Sequence, residues 1–253
     1  MFNAIVTTPR KRTDLEERAR TTAELLKFPF VPRNERSYET LRRESGVKAI
    51  LVVADEAPFV QTPKGRLFFH ENTAGKRTKD RQKPDPLVRI MELQPDDAVL
   101  DCTIGLACDA LVVAASLKDG KVVGVEVNPL LEYLVREGLR SYNFSSSRLA
   151  AAAKRIITIN ADHLDFLRRC EDDSFDVVYF DAMFTSGVEA SSSMQRIREI
   201  AENAPLSNEA VAEARRVARR KVIIKGRRGC FTDLQFSEIL PAGNRVFYGA
   251  LKL

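Results

Sequence analysis

From about residue 98 onward the chain alternates short apolar runs, each ending in an acid, with helix-length amphipathic blocks. Ala98 to Leu100 ends at Asp101, Val122 to Val125 at Glu126, Ile156 to Ile159 near Asn160 and Asp162, and Asp176 to Phe180 at Asp181. Between them lie an apolar block reaching about Leu117 and, behind Pro129, a stripe of Leu130, Leu131, Leu134, Val135 and Leu139. An alanine-rich segment from Arg148 to Lys154 and a short one from Leu164 to Arg169 follow. Met194 to Asn203 and Ser207 to Ala218 read as further helices, Val222 to Ile224 as a fifth strand. Arg245 to Leu253 reads as a terminal strand pairing with the stretch around Phe236 to Leu240. Short all-apolar runs suit strands covered on both faces, and spacing near 3.6 suits the helices that cover them. The pattern predicts an α/β fold, a doubly wound, mostly parallel sheet with a C-terminal antiparallel hairpin.

The first part of the chain has a different rhythm. Ala4 to Val6, Lys48 to Val53, Pro58 to Gln61 and Arg66 to Phe69 read as strands, with the turn Thr62-Pro63-Lys64-Gly65 closing a hairpin. Leu15 to Leu26 and Tyr38 to Arg43, the latter capped by Ser37, read as helices. This predicts a small N-terminal α/β appendage over residues 1–84, including a basic linker, and a main domain over 85–253. The linker, Asn72 to Pro86, carries Lys76, Arg77, Lys79, Arg81 and Lys83. It reads as a solvated connection or as a loop that contacts phosphates. Asp85 followed by Pro86 reads as the cap and first residue of a helix reaching Met91.

Charge sharpens this division. The net formal charge of +5 is the balance of +7 over residues 1–90, −8 over 91–204 and +6 over 205–253. Basic flanks around an acidic middle suggest a polyanionic partner, with Arg227 and Arg228 as further phosphate contacts. No apolar run approaches the ~18–20 residues of a membrane span, and the N-terminus lacks the apolar stretch of a signal peptide. Four cysteines without paired spacing fit a reducing, cytoplasmic setting with no metal site.

The strand ends hold the candidate chemistry. A dinucleotide turn uses several glycines so that backbone amides reach a pyrophosphate. Here the turn after Asp101 has only Gly105, with Ala107 after it; a negative φ there would tolerate the alanine. Asp101 and Asp109 would repel a pyrophosphate but accept hydrogen bonds from a cationic amino-acid ligand, and Thr103 adds a hydroxyl. Glu126 is placed for two ribose hydroxyls and Asp162 for an adenine amino group. Together these residues fit S-adenosylmethionine (SAM) better than a nicotinamide dinucleotide. Asp181-Ala182-Met183-Phe184 supplies acceptors for the N–H groups of an attacking amine and an aromatic to stack on a base.

Through DCTIGLACDA (Asp101 to Ala110), VVGVEVNPLLEYLVREGL (Val122 to Leu139) and VVYFDAMF (Val177 to Phe184), the chain resembles the class I SAM-dependent methyltransferases. More narrowly, it resembles the family that includes the bacterial small-subunit ribosomal RNA guanine-N2 methyltransferase. The resemblance covers about residues 85–253 and implies methyl transfer to RNA. It places Asp101 and Gly105 at the methionine end of the cofactor, Glu126 on the ribose, Asp162 near adenine and Asp181 in the catalytic position. The family usually carries proline where this chain has Ala182. The favoured expectation is methylation of a nucleobase nitrogen in structured, ribosomal RNA. A methyltransferase of small metabolites and a non-enzymatic RNA-binding module are the alternatives.

Overall fold

The computed structural model describes residues 3–80, 82–181, 205–227, 234–243 and 246–253. In chain order its elements begin with β1 (Ala4–Thr7), α1 (Glu16–Leu26), α2 (Tyr38–Ser45), β2 (Ala49–Val52), β3 (Phe59–Thr62), β4 (Gly65–Leu67) and α3 (Ala74–Arg77). Then come α4 (Pro86–Met91), β5 (Ala98–Asp101), α5 (Cys108–Ala114), β6 (Lys121–Glu126), α6 (Pro129–Ser141), α7 (Ser147–Ala153) and β7 (Ile156–Asn160). The last are α8 (His163–Arg169), β8 (Phe175–Asp181), α9 (Asn208–Val217), β9 (Ala218–Arg227), β10 (Glu238–Pro241) and β11 (Val246–Lys252). No helix among the described residues is long and apolar enough to cross a membrane.

The chain forms two compact units. Among the described residues the first holds 3–70 together with 128–142, and the second 71–127, 143–181 and everything from 205 on. Residues 71–84, read from the sequence as the appendage's tail, therefore group with the large sheet. Helix α6, read as part of the main domain, groups with the small one.

In the first unit the sheet order is β1-β2-β3-β4, with β1 and β2 parallel and the remaining pairs antiparallel. Ile5, Leu41, Val47, Ile50 and Val52 form a core between this sheet and α2. Ser37 accepts from the Thr40 amide at 3.0 Å to start α2, and Gly46 in the left-handed region ends it. Helix α6 packs against β3. Its Tyr133 hydroxyl lies 3.2 Å from that of Thr22 on α1, and at Gly138 the ring of Phe69 occupies the space a Cβ would fill.

The second unit holds a seven-stranded sheet in the order β10-β11-β9-β8-β5-β6-β7. Strands β9, β8, β5, β6 and β7 are mutually parallel, and the C-terminal hairpin β10–β11 joins antiparallel to β9. Leu100, Val178, Phe180, Val222 and Ile224 pack beneath Val211, Ala214 and Val217 of α9. Strand β9 starts at Ala218, earlier than its apolar residues suggest. It pairs on both sides, and the arginines at its start find carboxylates, Arg219 on Asp176 at 3.1 Å and Arg220 on Asp97. Neighbouring strands outweigh the polar composition of the segment.

Candidate functional site

The site forms within the second unit, where β5, β8 and β9 end side by side. Asp101 is paired with Tyr179, which is paired in turn with Ile223; Asp181 is paired with Lys225, and Lys225 with Tyr248. Because side chains on a strand alternate between faces and paired residues point the same way, Asp101, Tyr179, Asp181, Lys225 and Tyr248 share one face. That is the face to which α5 brings Asp109.

The turn after β5 is fixed by short bonds. The Cys102 amide donates to the Tyr179 carbonyl at 2.9 Å, the Thr103 amide to the Asp101 carboxylate at 3.0 Å and the Ile104 amide to the Val125 carbonyl at 3.1 Å. The turn is thereby tied to the strands on both sides of β5. The Thr103 hydroxyl oxygen accepts from the Asp181 amide at 2.6 Å, which joins it to the last residue of β8. Gly105 has φ of +52°, a conformation that costs glycine nothing. Ala107 has φ of +60°, so the negative φ the sequence reading required is not what the chain adopts. The tight turn that delivers Asp109 into the first turn of α5 imposes the left-handed conformation, and the alanine accepts the strain.

Asp109 is the hub of a charged network. Its carboxylate receives the Tyr179 hydroxyl at 2.8 Å, Lys225 at 3.1 Å and Arg77. Burial alone would raise its pKa, but Lys225 and Arg77 outweigh that and hold it at about 2. Lys225 also reaches Asp181 at 2.7 Å. Burial acts against the ammonium, yet Asp109 and Asp181 together lift its pKa above the ordinary lysine value. Asp181 is raised by its enclosed position, pulled back by Lys225 and raised again by Asp109, and the balance lies above the ordinary carboxylate. Arg77 grips Asp85 with two bonds of 2.9 Å, while Asp85 caps α4 through the Leu87 amide.

Asp101 differs from these acids. It is 2% exposed, and burial pushes its carboxyl up to about 8, with Asp109 and Asp181 adding to the shift. Three carboxylates, Asp85, Asp109 and Asp181, thus pair with two cations, Arg77 and Lys225, with the Asp101 carboxyl held neutral by burial near pH 7. The pocket is short of positive charge.

A family described as "Putative SAM-dependent methyltransferase" matches residues 60–231. The chain is 36% identical over 225 residues to the uncharacterized protein YpiP of Bacillus subtilis, covering 87% of both chains. The chain belongs to the SAM-dependent methyltransferase family. It is also 33% identical over 134 residues to the ribosomal RNA small subunit methyltransferase J of Hahella chejuensis. That match covers 52% of this chain and spans about half, 48%, of the relative. In fold it is similar to a solved SAM-dependent methyltransferase from Neisseria gonorrhoeae, at 16% identity and a TM-score of 0.68 over 98% of this chain and 95% of that one.

The cofactor of this methyltransferase is SAM, and the charge balance of the site suits it. SAM carries a sulfonium and an ammonium against one carboxylate, a net positive charge for a site with one carboxylate in excess of its cations. At Gly105 an added Cβ would meet only the Thr103 carbonyl, at an ordinary contact distance of 3.8 Å. Glu126 ends β6 half-buried, opposite Asn160 of β7. The Asn160 side chain donates to the Glu126 carbonyl at 2.8 Å, fixing the backbone at that point. Asp162 caps α8, one oxygen accepting from the Leu164 and Asp165 amides at 2.9 and 3.2 Å.

Other sequence expectations fare differently. Arg77, read as a phosphate contact, turns inward and commits its guanidinium to Asp85 and Asp109. The short helix α3 inside the supposed linker aims it there. Lys76 and Lys79 are exposed and Arg227 is half-buried. Arg81, Ala182, Phe184 and Arg228 lie outside the described residues, as do the loop from Thr185 and the helix read at Met194 to Asn203. Among the described residues no cluster of histidine, cysteine, aspartate and glutamate is placed to hold a metal ion. Lys225, Tyr179 and Tyr248 escaped the sequence reading. Their signal was a register, a lone lysine ending the run Val222-Ile223-Ile224, visible only once β9 is set between β8 and β11.

Proposed function

We propose that this methyltransferase modifies a nucleobase nitrogen in structured RNA, with ribosomal RNA the favoured substrate. The observation that carries the reading is Asp181. It ends the central strand β8, its amide fixed by Thr103 at 2.6 Å and its carboxylate by Lys225 at 2.7 Å. A carboxylate so held can accept an N–H from an exocyclic or ring nitrogen and turn the lone pair toward the methyl donor. SAM supplies an electrophilic methyl group on a sulfonium. The chain's part is positional: Asp101, Thr103 and Gly105 hold the methionine end, Asp109 keeps Lys225 in place, Glu126 takes the ribose and Asp162 faces the adenine. Phe184 is assigned the stacking role. The name carried by the Hahella chejuensis relative and the basic flanks of the sequence support RNA over a small metabolite.

The test is labelled methyl transfer to total RNA from cells lacking the protein, followed by mapping of the modified nucleoside. Incorporation into ribosomal RNA is expected. No incorporation by a protein that still binds SAM would shift the acceptor to a metabolite. Asp181→Ala should abolish transfer and leave SAM affinity nearly unchanged, whereas Glu126→Ala should weaken SAM binding by calorimetry.

A further inference from the structure

The first unit carries a cluster of arginines whose organisation the methyl-transfer site does not explain. Arg33 lies over the ring of Tyr38, its Cζ 3.6 Å from the centroid, and Arg66 over the ring of Phe59 at 4.7 Å. The two rings meet edge to face at 6.0 Å, giving an unbroken row of guanidinium, ring, ring and guanidinium. Helix α2 begins at Tyr38, and Phe59 and Arg66 lie on the antiparallel strands β3 and β4. Tyr38, Phe59 and Arg66 are therefore mounted on regular elements, and Arg33 lies in the segment that leads into α2. The Arg33 Nε donates to the Arg36 carbonyl at 3.1 Å, which fixes the plane of the group.

Nearby arginines are neutralised. Arg12 pairs with Asp14 and Asp55, Arg36 with Glu44 at 3.1 Å and Arg42 with Glu39 at 2.7 Å. Among the described residues Arg10, Arg33 and Arg66 have no carboxylate at ion-pairing distance. Burial lowers the pKa of Arg33, and Arg10 and Arg66 add to that repulsion while Tyr38 and Glu35 oppose it. Like charges held together on stiff supports destabilise a surface unless an anion joins them. A guanidinium stacked on a ring keeps its N–H edge for phosphate oxygens and its outer face for a base.

We propose that Arg33 and Arg66 form an RNA-backbone grip on the N-terminal unit, separate from the residues that perform methyl transfer. The inference rests on RNA being the substrate and names where the strand is held. A flexible lysine patch would supply charge alone, whereas this row supplies charge at fixed positions.

The experiment is an anisotropy titration of a fluorescent RNA hairpin with the full chain between 50 and 300 mM KCl, alongside SAM binding and thermal unfolding. The wild type should weaken linearly in log Kd against log salt. Arg33→Gln with Arg66→Gln should weaken hairpin binding and flatten that slope by about 1.5–2, near the loss of two phosphate contacts. SAM affinity and the unfolding midpoint should hold. Lys27→Gln with Lys48→Gln removes equal charge elsewhere on the unit and should leave the slope in place. Arg33→Lys with Arg66→Lys should restore the slope. A wild-type slope in the Arg-to-Gln pair, or the same loss in both Gln pairs, would overturn the grip while leaving RNA as substrate. A wild type that binds no hairpin at any salt would remove the RNA reading itself, and the grip with it. If phosphatidylserine vesicles are bound instead of RNA, the surface is a membrane contact and the inference falls.

Discussion

At the scale of single residues, the site depends on where protons and charges rest. Burial pushes the Asp101 carboxyl up to about 8, so below that pH a cation that pairs with its carboxylate must displace a proton. Affinity for SAM should therefore rise with pH between 6 and 7.5, by up to about tenfold per unit. Asp101→Asn should flatten the profile, and calorimetry at several pH values reads both. Lys225 works in the opposite sense. Removing it in Lys225→Met takes away the charge that pulls Asp181 down, so the Asp181 pKa moves further above its ordinary value. The acid limb of the pH–rate profile should then shift to higher pH, with turnover lower throughout; an acid limb that stays put would remove Lys225 from this role. Ala107 offers a test of strain. At φ of +60° its Cβ is unfavourable by roughly 1 kcal/mol, and Ala107→Gly should recover about that much in urea denaturation.

At the scale of elements, most of the second unit was legible because strand ends announce themselves. Short runs such as Val122 to Val125, set between helix-length blocks, suit buried strands, and an acid follows the runs that form β5, β6 and β8. The hairpin pairing of the last strand with Glu238–Pro241 was legible for the same reason. What the sequence concealed was contact between distant residues. Arg77 looked like one charge among five in a polar stretch, and only the turn of helix α3 reveals that it neutralises Asp109. Lys225 looked like the end of an apolar run, and only the register with Asp181 gives it a purpose. Helix α6 displayed its apolar stripe plainly, yet nothing in that stripe says which sheet it covers. Gly138 holds the answer, since the Phe69 ring fills the place of its side chain. Alanine would normally favour a helix by about 1 kcal/mol; here Gly138→Ala should instead destabilise, by about 1–3 kcal/mol through overpacking, measurable by thermal unfolding.

At the scale of the whole molecule, charge and chain path both bear on how the protein can be divided. The site draws on all three charge stretches of the sequence, Arg77 and Asp85 from the basic start, Asp101, Asp109 and Asp181 from the acidic middle and Lys225 from the basic end. A fragment starting at residue 85 would retain the strands of the large sheet and lose the surroundings of α6. Leu130, Leu131, Leu134 and Val135 are all buried in the intact chain, and an α6 deprived of β3, Thr22 and Phe69 exposes apolar surface. Such a fragment should be recovered as aggregate, whereas the full chain should elute as a defined species by size-exclusion chromatography.

The membership of α6 in the first unit also sets a timetable during synthesis. Residues 3–70 leave the ribosome first, but their unit is incomplete until residues 128–142 have followed. At ~5–20 residues per second that interval is roughly four to fourteen seconds. Throughout it β3, Thr22 and Phe69 wait without the helix they contact while β5 and β6 are made. The nascent protein thus has a period in which a chaperone is a more suitable partner for its N-terminal half than any substrate.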